Sequence, residues 1–174
     1  MKKLFALGIM ICMFTAVGFS QSSATASAAA TIFTPISIAK VAGGDMNFGT
    51  LASSGSGGTC VLAADGAGTR TPSAGITLMG GTPQAATFTV TGIAGQNYGI
   101  SLPTTTTTVS DGAATPHTMT IDTWTSDHTG QITGGSITLH VGATLHIGAL
   151  QEAGVYTTAN SGGSGDFTVT VNYN

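Results

Sequence analysis

The fold class of this 174-residue chain is decided by the stretch Phe167-Thr168-Val169-Thr170-Val171-Asn172-Tyr173-Asn174. Apolar and polar residues alternate in it at every position. In an extended strand, successive side chains point to opposite faces, so one face of this segment is apolar and the other is polar. The pattern predicts a half-buried β-strand. Because nothing that follows could protect this strand, we expect its backbone to pair with another strand, from this chain or from a second one.

The same two-residue period runs through the rest of the chain. Helical patterning is almost absent, because Gly or Pro recurs every few residues. Many short runs rich in Thr, Val and Ile, separated by turn signals, favour a single-domain, all-β, two-sheet sandwich with little or no helix. The predicted strands are 32–41, 46–51, 60–63, 75–79, 86–91, 98–102, 118–124, 136–141, 144–149, 155–157 and 166–173.

Pro35 lies inside the first of these strands. Proline has no N–H to donate to a β-ladder, so this strand is expected at a sheet edge or with a bulge. Both terminal strands are thus apolar and suited to an edge, which is what one subunit needs to complete another. The threonine run at 104–108 is predicted to be an exposed connection, with an edge strand as the alternative.

The N-terminus has the order of a cleaved secretory signal over residues 1–28. Lys2 and Lys3 precede an apolar run at 4–19 and a small-residue segment at 22–28. The apolar run is shorter than the ~20 residues that a membrane-spanning helix needs. We therefore expect a secreted protein that passes through the periplasm to the cell surface or beyond, with no membrane span after cleavage. Cys60 is then the only thiol, predicted to be buried and inert, with an intermolecular disulfide as the alternative.

Charged side chains are few. After cleavage, the chain keeps two basic residues, Lys40 and Arg70, and seven acidic ones. Affinity for phosphates requires clustered Lys and Arg, so nucleic acid is excluded as an expected partner, and an anionic membrane surface is disfavoured for the same reason.

Two histidines occur in a repeated segment, since 138–143 (TLHVGA) is echoed by 144–149 (TLHIGA). If residues 142–144 turn a hairpin, the Cβ atoms of His140 and His146 lie ~5 Å apart. If the segment is one continuous strand, they lie ~20 Å apart. Without a third ligand the pair is a weak site in either case, so no metal is predicted.

Catalytic motifs are missing from the sequence. Ser164, in GGSGD, departs from the G-x-S-x-G nucleophile elbow at its last position, and no spacing selects a catalytic triad. No phosphate-binding or dinucleotide motif occurs either, so we expect neither an enzyme nor a cofactor. Trp124 breaks the alternation of its strand, which indicates core packing beside a bulge or, alternatively, an exposed ring that stacks on a sugar.

Three parts of the chain together resemble a known family. They are 34–38 with 46–50 (TPISI, MNFGT), 81–92 (GTPQAATFTVTG), and 154–156 with 167–173 (GVY, FTVTVNY). They resemble a bacterial family of secreted β-sandwich proteins catalogued only as a domain of unknown function. That family is similar to the spore coat protein U-like pilins of archaic chaperone-usher systems.

The resemblance implies an immunoglobulin-like Greek-key sandwich over residues 29–174, completed by donor-strand exchange between copies of the chain. It implies a donor strand near 31–41 and, as further partners, a periplasmic chaperone and an outer-membrane usher. The expected function is a pilin-like structural subunit of a surface filament. The alternative is a secreted stand-alone sandwich that binds glycan or a host surface, with its N-terminal strand paired in its own sheet. The expected interface residues are Ile32, Phe33, Ile36, Ile38, Phe167, Val169, Val171 and Tyr173.

Overall fold

Eleven β-strands and no helix are present in residues 21–128 and 130–174, which are the residues that this computed structural model describes. All the strands lie in one compact unit, Phe33–Asn174. Residues 21–32 have no assigned secondary structure, and most of the predicted signal, residues 1–20, lies outside the described residues. The strands are β1 Ser37–Lys40, β2 Thr50–Ser53, β3 Gly58–Leu62, β4 Arg70–Pro72, β5 Ile76–Gly80, β6 Ala86–Thr91, β7 Tyr98–Ser101, β8 Thr107–Ser110, β9 Thr118–Ser126, β10 Ser136–Ile147 and β11 Thr170–Tyr173.

Every strand pairing is antiparallel. The large sheet is built on the long strand β10. One edge of β10 pairs first with β6 and then with β3, and the other edge pairs with β9. Strand β1 extends this sheet beside β6, β4 beside β3, and β8 beside β9. Strands β7 and β11 form a second sheet, and β2 and β5 form a small third one.

The all-β, sandwich-like fold predicted from the sequence is confirmed. The order β1-β6-β10-β9 in the large sheet and β7-β11 in the second corresponds to strands A-B-E-D and C-F of an immunoglobulin sandwich, in the same order along the chain. In that sandwich a further strand, G, lies beside F. None of the described strands pairs with β11 on that side.

The core has two parts, which meet along β10. The first half of β10 contributes Leu139 and Val141 to one cluster of buried side chains, and the second half contributes Ala143, Leu145 and Ile147 to the other. The first of these clusters, called here the lower core, joins β6 and β10 of the large sheet to β7 and β11 of the second sheet. Its buried members are Ala86, Val90, Tyr98, Ile132, Leu139, Val141, Val169 and Val171.

Gly142 lies within β10 and does not turn it, so the two strands predicted at 136–141 and 144–149 are one continuous strand and the hairpin alternative is wrong. The glycine is needed for another reason. A Cβ at this position would lie 2.3 Å from the carbonyl oxygen of Leu62 and 2.6 Å from the amide nitrogen of Ala64. The chain at the end of β3 therefore passes Gly142 of the paired strand β10 at a distance that only glycine allows.

We expect Gly142→Ala to destabilise the fold by about 1–3 kcal/mol, because the added methyl group overlaps backbone atoms that cannot move independently. Gly55→Ala is the matched control, since a Cβ there meets no atom within 4 Å. Urea unfolding curves of the two variants measure the difference. Equal unfolding midpoints would show that the backbone at Leu62 and Ala64 leaves room for a methyl group at position 142.

Other strand boundaries also differ from the prediction. The first strand begins at Ser37, after Pro35, and pairs only with β6, so it is an edge strand as expected. Residues 104–106 of the threonine run are an exposed connection, as predicted, and Thr107 and Thr108 belong to the edge strand β8, which is the alternative. Strand β4 was not predicted. The segment predicted as a strand at 155–157 makes only a single bridge, between Thr157 and Ser110.

Candidate functional site

The outer edge of β11 is the most prominent unpaired feature among the described strands. Thr170 to Tyr173 pair with Ser101 to Tyr98 of β7. In an antiparallel ladder, alternate residue pairs exchange hydrogen bonds, and the Asn174 N–H donates to the Asn97 carbonyl oxygen at 3.3 Å. The pairs with even-numbered β11 residues are therefore the hydrogen-bonded ones. It follows that the N–H and C=O groups of Val171 and Tyr173 point away from β7.

The same alternation continues upstream of β11. Side chains at 167, 169, 171 and 173 are buried or half-buried, and those between them are exposed. Yet the backbone of residues 166–169 makes no backbone hydrogen bond to any described residue. If the register with β7 continued, Thr168 would face Pro103, which has no N–H to donate. The strand predicted at 166–173 is thus extended throughout but paired only over its second half.

A second unpaired edge belongs to β1. Ser37 pairs with Thr91, and the Val41 N–H donates to the Thr87 carbonyl oxygen. By the same alternation, the backbone groups of Ile38 point away from β6. Strand β1 approaches β11 without pairing with it. We call the region between these two edges, bounded by Ser37–Lys40 and residues 166–173, the open cleft.

The lower core has more partly buried apolar side chains packed against it than the other cluster has. Its eight buried side chains are surrounded by ten partly buried ones, whereas the other cluster, with nine buried side chains, has only five. Four of the ten, Ile36, Ile38, Phe167 and Tyr173, lie on or next to the two flanks of the open cleft, where an additional strand would bury more of their surface. The ten are Ile36, Ile38, Met46, Phe88, Ile100, Leu102, Trp124, Ile137, Phe167 and Tyr173.

The eight interface residues predicted from the sequence fall into three groups. Ile32 and Phe33 are exposed, with 94% and 61% of their surface accessible. Ile36 and Ile38 lie in or next to β1 and pack against the lower core of their own chain. Phe167, Val169, Val171 and Tyr173 form the inward face of the C-terminal segment and pack in the lower core.

Trp124 lies in the core at a bulge, as the first of the two sequence interpretations predicted. The β9–β10 register shifts between Gly142 and Thr144, and Thr123 takes a positive φ of 51° there. This turns the Trp124 ring inward against Phe167, with ring centroids 4.5 Å apart. The indole Nε1 is buried without a hydrogen-bond partner in the described residues. The ring supports both core clusters and is not displayed for stacking on a sugar.

Tyr98 lies on β7 and makes contacts at the edge of that strand that faces away from β11. Its ring is buried and stacks on His128. The phenol hydroxyl donates to His128 Nδ1 at 2.7 Å, an atom that also accepts from the Gly130 N–H. Burial, together with the charge of Asp127, raises the pKa of Tyr98 to about 12. The Tyr98 N–H donates to the Gly130 carbonyl oxygen, so this edge is covered.

His140 and His146 do not form a metal site together. Each pairs instead with an aspartate on or next to β9, His140 with Asp127 and His146 with Asp122. Six residues apart on one strand, they are separated by ~20 Å. No group of three or more potential metal ligands occurs among the residues that the structure describes.

We expect the protein to lose stability at acidic pH, partly through Asp122. The hydrogen bond from His146 lowers the pKa of Asp122 below its ordinary value. A carboxyl group with a lower pKa in the folded state stabilises the fold above the unfolded-state pKa, about 3.9, and this contribution is lost as the pH falls through the folded-state pKa. Thermal unfolding from pH 6 to pH 2 tests this. The melting temperature of Asp122→Asn should fall less below pH 4 than that of the wild type, and an identical fall would contradict the assignment.

Arg70 has a structural role that the sequence did not indicate, and Cys60 has the one that it predicted. Arg70 donates to the carbonyl oxygens of Phe48 at 2.7 Å and Gly80 at 3.1 Å, which ties β4 to the small sheet. Cys60 is a free, fully buried thiol, and burial raises its pKa. A buried, protonated thiol is unreactive, in agreement with the first of the two interpretations.

No helix among the described residues is long and apolar enough to cross a membrane. No curated protein and no solved structure matches this chain. A family match does exist, and it covers both flanks of the open cleft. Residues 36–173 match the family described as Domain of unknown function (DUF4402), and the chain therefore belongs to that family.

Proposed function

We propose that this protein is a pilin-like structural subunit of a bacterial cell-surface filament, in which the open cleft of one copy accepts a strand from the N-terminal segment of the next. The observation that carries this proposal is the unpaired edge of residues 166–173. Val171 is only 7% exposed, yet none of the described strands pairs with its outward-facing backbone groups. Unpaired N–H and C=O groups on the edge of a sheet are a template for pairing with another chain, and an added strand would supply their partners.

The N-terminal segment has the chemistry that such a strand needs. Ile32 and Phe33 are large apolar side chains left exposed in the single subunit. Burying both would contribute about 3–6 kcal/mol before the cost of ordering the segment. No proline occurs from Gln21 to Thr34, so every residue in this stretch could contribute an N–H to a ladder. Ile36 and Ile38 already pack on their own lower core, so we assign the exchanged part to the residues before Thr34.

The partners and location follow from this proposal. A subunit with an open edge is prone to non-specific pairing, so a periplasmic chaperone would cover the cleft before assembly, and an outer-membrane usher would release subunits to the surface. The role is structural and not catalytic. The weakly charged surface suits close stacking of identical subunits, because few like charges are brought together.

A secreted stand-alone module that binds glycan or a host surface is the second candidate. The observation in its favour is the pairing of β1 with β6 within one chain, since a self-contained sandwich keeps its N-terminal strand in its own sheet. Such a module would remain a monomer and would not need the exposed Ile32 and Phe33.

Negative-stain microscopy of the purified mature protein, with electrophoresis in SDS before and after boiling, distinguishes the two candidates. The filament proposal predicts fibres and SDS-resistant multimers that collapse to monomers on boiling, because strand-complemented subunits separate slowly. A protein that stays monomeric at all concentrations, also when refolded from denaturant, would contradict it.

A further inference from the structure

We infer that the two hydrogen bonds of the Tyr173 hydroxyl, called here the tie, hold the backbone in place at Thr34. They so fix the point at which the N-terminal segment leaves the domain. This inference rests on the proposed function for its role in assembly, but the tie itself is a property of the single subunit. It makes Tyr173 a positioning residue rather than only one of the apolar side chains in the cleft.

Two hydrogen bonds define the tie. The Tyr173 hydroxyl donates to the carbonyl oxygen of Thr34 at 3.2 Å and accepts from the N–H of Ile93 at 2.8 Å. Thr34 lies just before β1, and Ile93 lies just after β6, both in the large sheet. Tyr173 itself belongs to β11 of the second sheet. The hydroxyl therefore links the two sheets at one end of the open cleft.

The surroundings of the hydroxyl are shaped to receive it. A Cβ at Gly92 would lie 2.5 Å from the Tyr173 hydroxyl oxygen and 2.6 Å from Ile132 Cδ1, so any larger residue at position 92 would displace the phenol. The φ of Gly92 is not in the left-handed region, so the need for glycine here is steric. The position of the Tyr173 hydroxyl is therefore set by three contacts, the hydrogen bonds with Thr34 and Ile93 and the close packing against Gly92.

The tie coincides with a change in the environment of the chain. On its C-terminal side, Ile36 and Ile38 pack against the lower core. On its N-terminal side, Phe33 is exposed. Pro35, between them, offers no N–H for pairing. Thr34 thus separates the residues that belong to the subunit's own sheet from those that we propose for exchange. With the backbone held at Thr34, the exchanged segment leaves the domain in a constant direction, which would hold the next subunit at a constant angle.

Tyr173→Phe tests the tie, because it removes the hydroxyl and keeps the ring. Tyr156→Phe is the matched control. Its hydroxyl also makes two hydrogen bonds, with Gln151 and with the Glu152 carbonyl oxygen, in a loop away from Thr34. The first measurement is the rate of chymotrypsin cleavage after Phe33 in monomeric subunits under native conditions. We expect about a fivefold increase in Tyr173→Phe, the effect of losing one hydrogen bond of ordinary strength, and no increase in Tyr156→Phe.

Equal cleavage rates in wild type and Tyr173→Phe would overturn the tie, as would equal acceleration in both variants, which would indicate general loosening. The second measurement is the curvature of filaments in micrographs. Tyr173→Phe filaments should bend more than wild-type and Tyr156→Phe filaments, and equal curvature would overturn the role in assembly. Faster cleavage after Phe33 together with a wild type that never forms multimers would leave the tie standing and refute the proposed function.

Discussion

Val171→Pro is expected to give a folded subunit that accepts a strand much more weakly than the wild type. The N–H of Val171 points to the open cleft, so its removal costs no hydrogen bond within the subunit. Proline is tolerated on edge strands where the missing N–H faces outward. In an assembled pair, however, the variant lacks one ladder donor and leaves the facing carbonyl unpaired, which weakens binding by about 1–3 kcal/mol, or about 5- to 150-fold. SDS-resistant multimers should disappear while the circular dichroism spectrum is unchanged.

Asn172→Pro is the matched control for this prediction. Its N–H points toward β7, because even-numbered residues of β11 form the hydrogen-bonded pairs. The same substitution one residue away therefore breaks a bond within the subunit and should lower the unfolding free energy by about 1–3 kcal/mol more than Val171→Pro does. If Val171→Pro assembles as well as the wild type, or if it unfolds and Asn172→Pro does not, the orientation assigned to this edge is wrong.

The second large effect is expected from the donor side. Ile32→Asp combined with Phe33→Asp should abolish assembly, because two unpaired carboxylates cannot be buried in an apolar cleft. The stability of the single subunit should change by less than about 0.5 kcal/mol, since both side chains are exposed and surface substitutions have small effects. Analytical ultracentrifugation and urea unfolding measure the two quantities.

Val155→Asp is the control for the donor variant, since Val155 is an apolar loop residue that is 78% exposed. It makes the same kind of change at a surface that we do not assign to assembly. If Val155→Asp blocks assembly equally, the loss reflects added charge and not the donor segment. Normal assembly of the doubly substituted variant would exclude the segment around Ile32 as the donor.

The sequence predicted the fold class because its decisive signal is local. Alternation along 86–91 gave the exact bounds of β6, and alternation along 166–173 gave the inward face of the C-terminal segment. Features set by contacts distant in sequence were missed. Glycine is typical of turns, so the sequence around Gly142 allowed a turn there. The glycine is instead required because Leu62 and Ala64 pass close to it. Strand β4 is three residues long and has too short a pattern to detect.

The sequence predicted which residues form the candidate site, but not how their side chains and backbone groups are oriented. The apolar face of the C-terminal strand could be read from periodicity. Which backbone groups point outward depends on the register with β7, and the pairing ends before Thr168, which would face Pro103 if that register continued. The division of the N-terminal residues also depends on three-dimensional packing, because Ile36 and Ile38 have the same apolar character as Ile32 but lie against their own core.

If one copy donates its N-terminal segment to the cleft of another, a variant with a defective donor segment and a variant with a defective cleft should complement each other. The donor variant I32D/F33D keeps an intact cleft, and the acceptor variant V171P keeps an intact donor segment. Native mass spectrometry of each variant alone, and of an equimolar mixture after joint refolding, measures the assembly state. We expect monomers for each variant alone and a one-to-one heterodimer in the mixture that does not grow further. A mixture that remains monomeric, while the wild type forms multimers under the same conditions, would contradict this expectation.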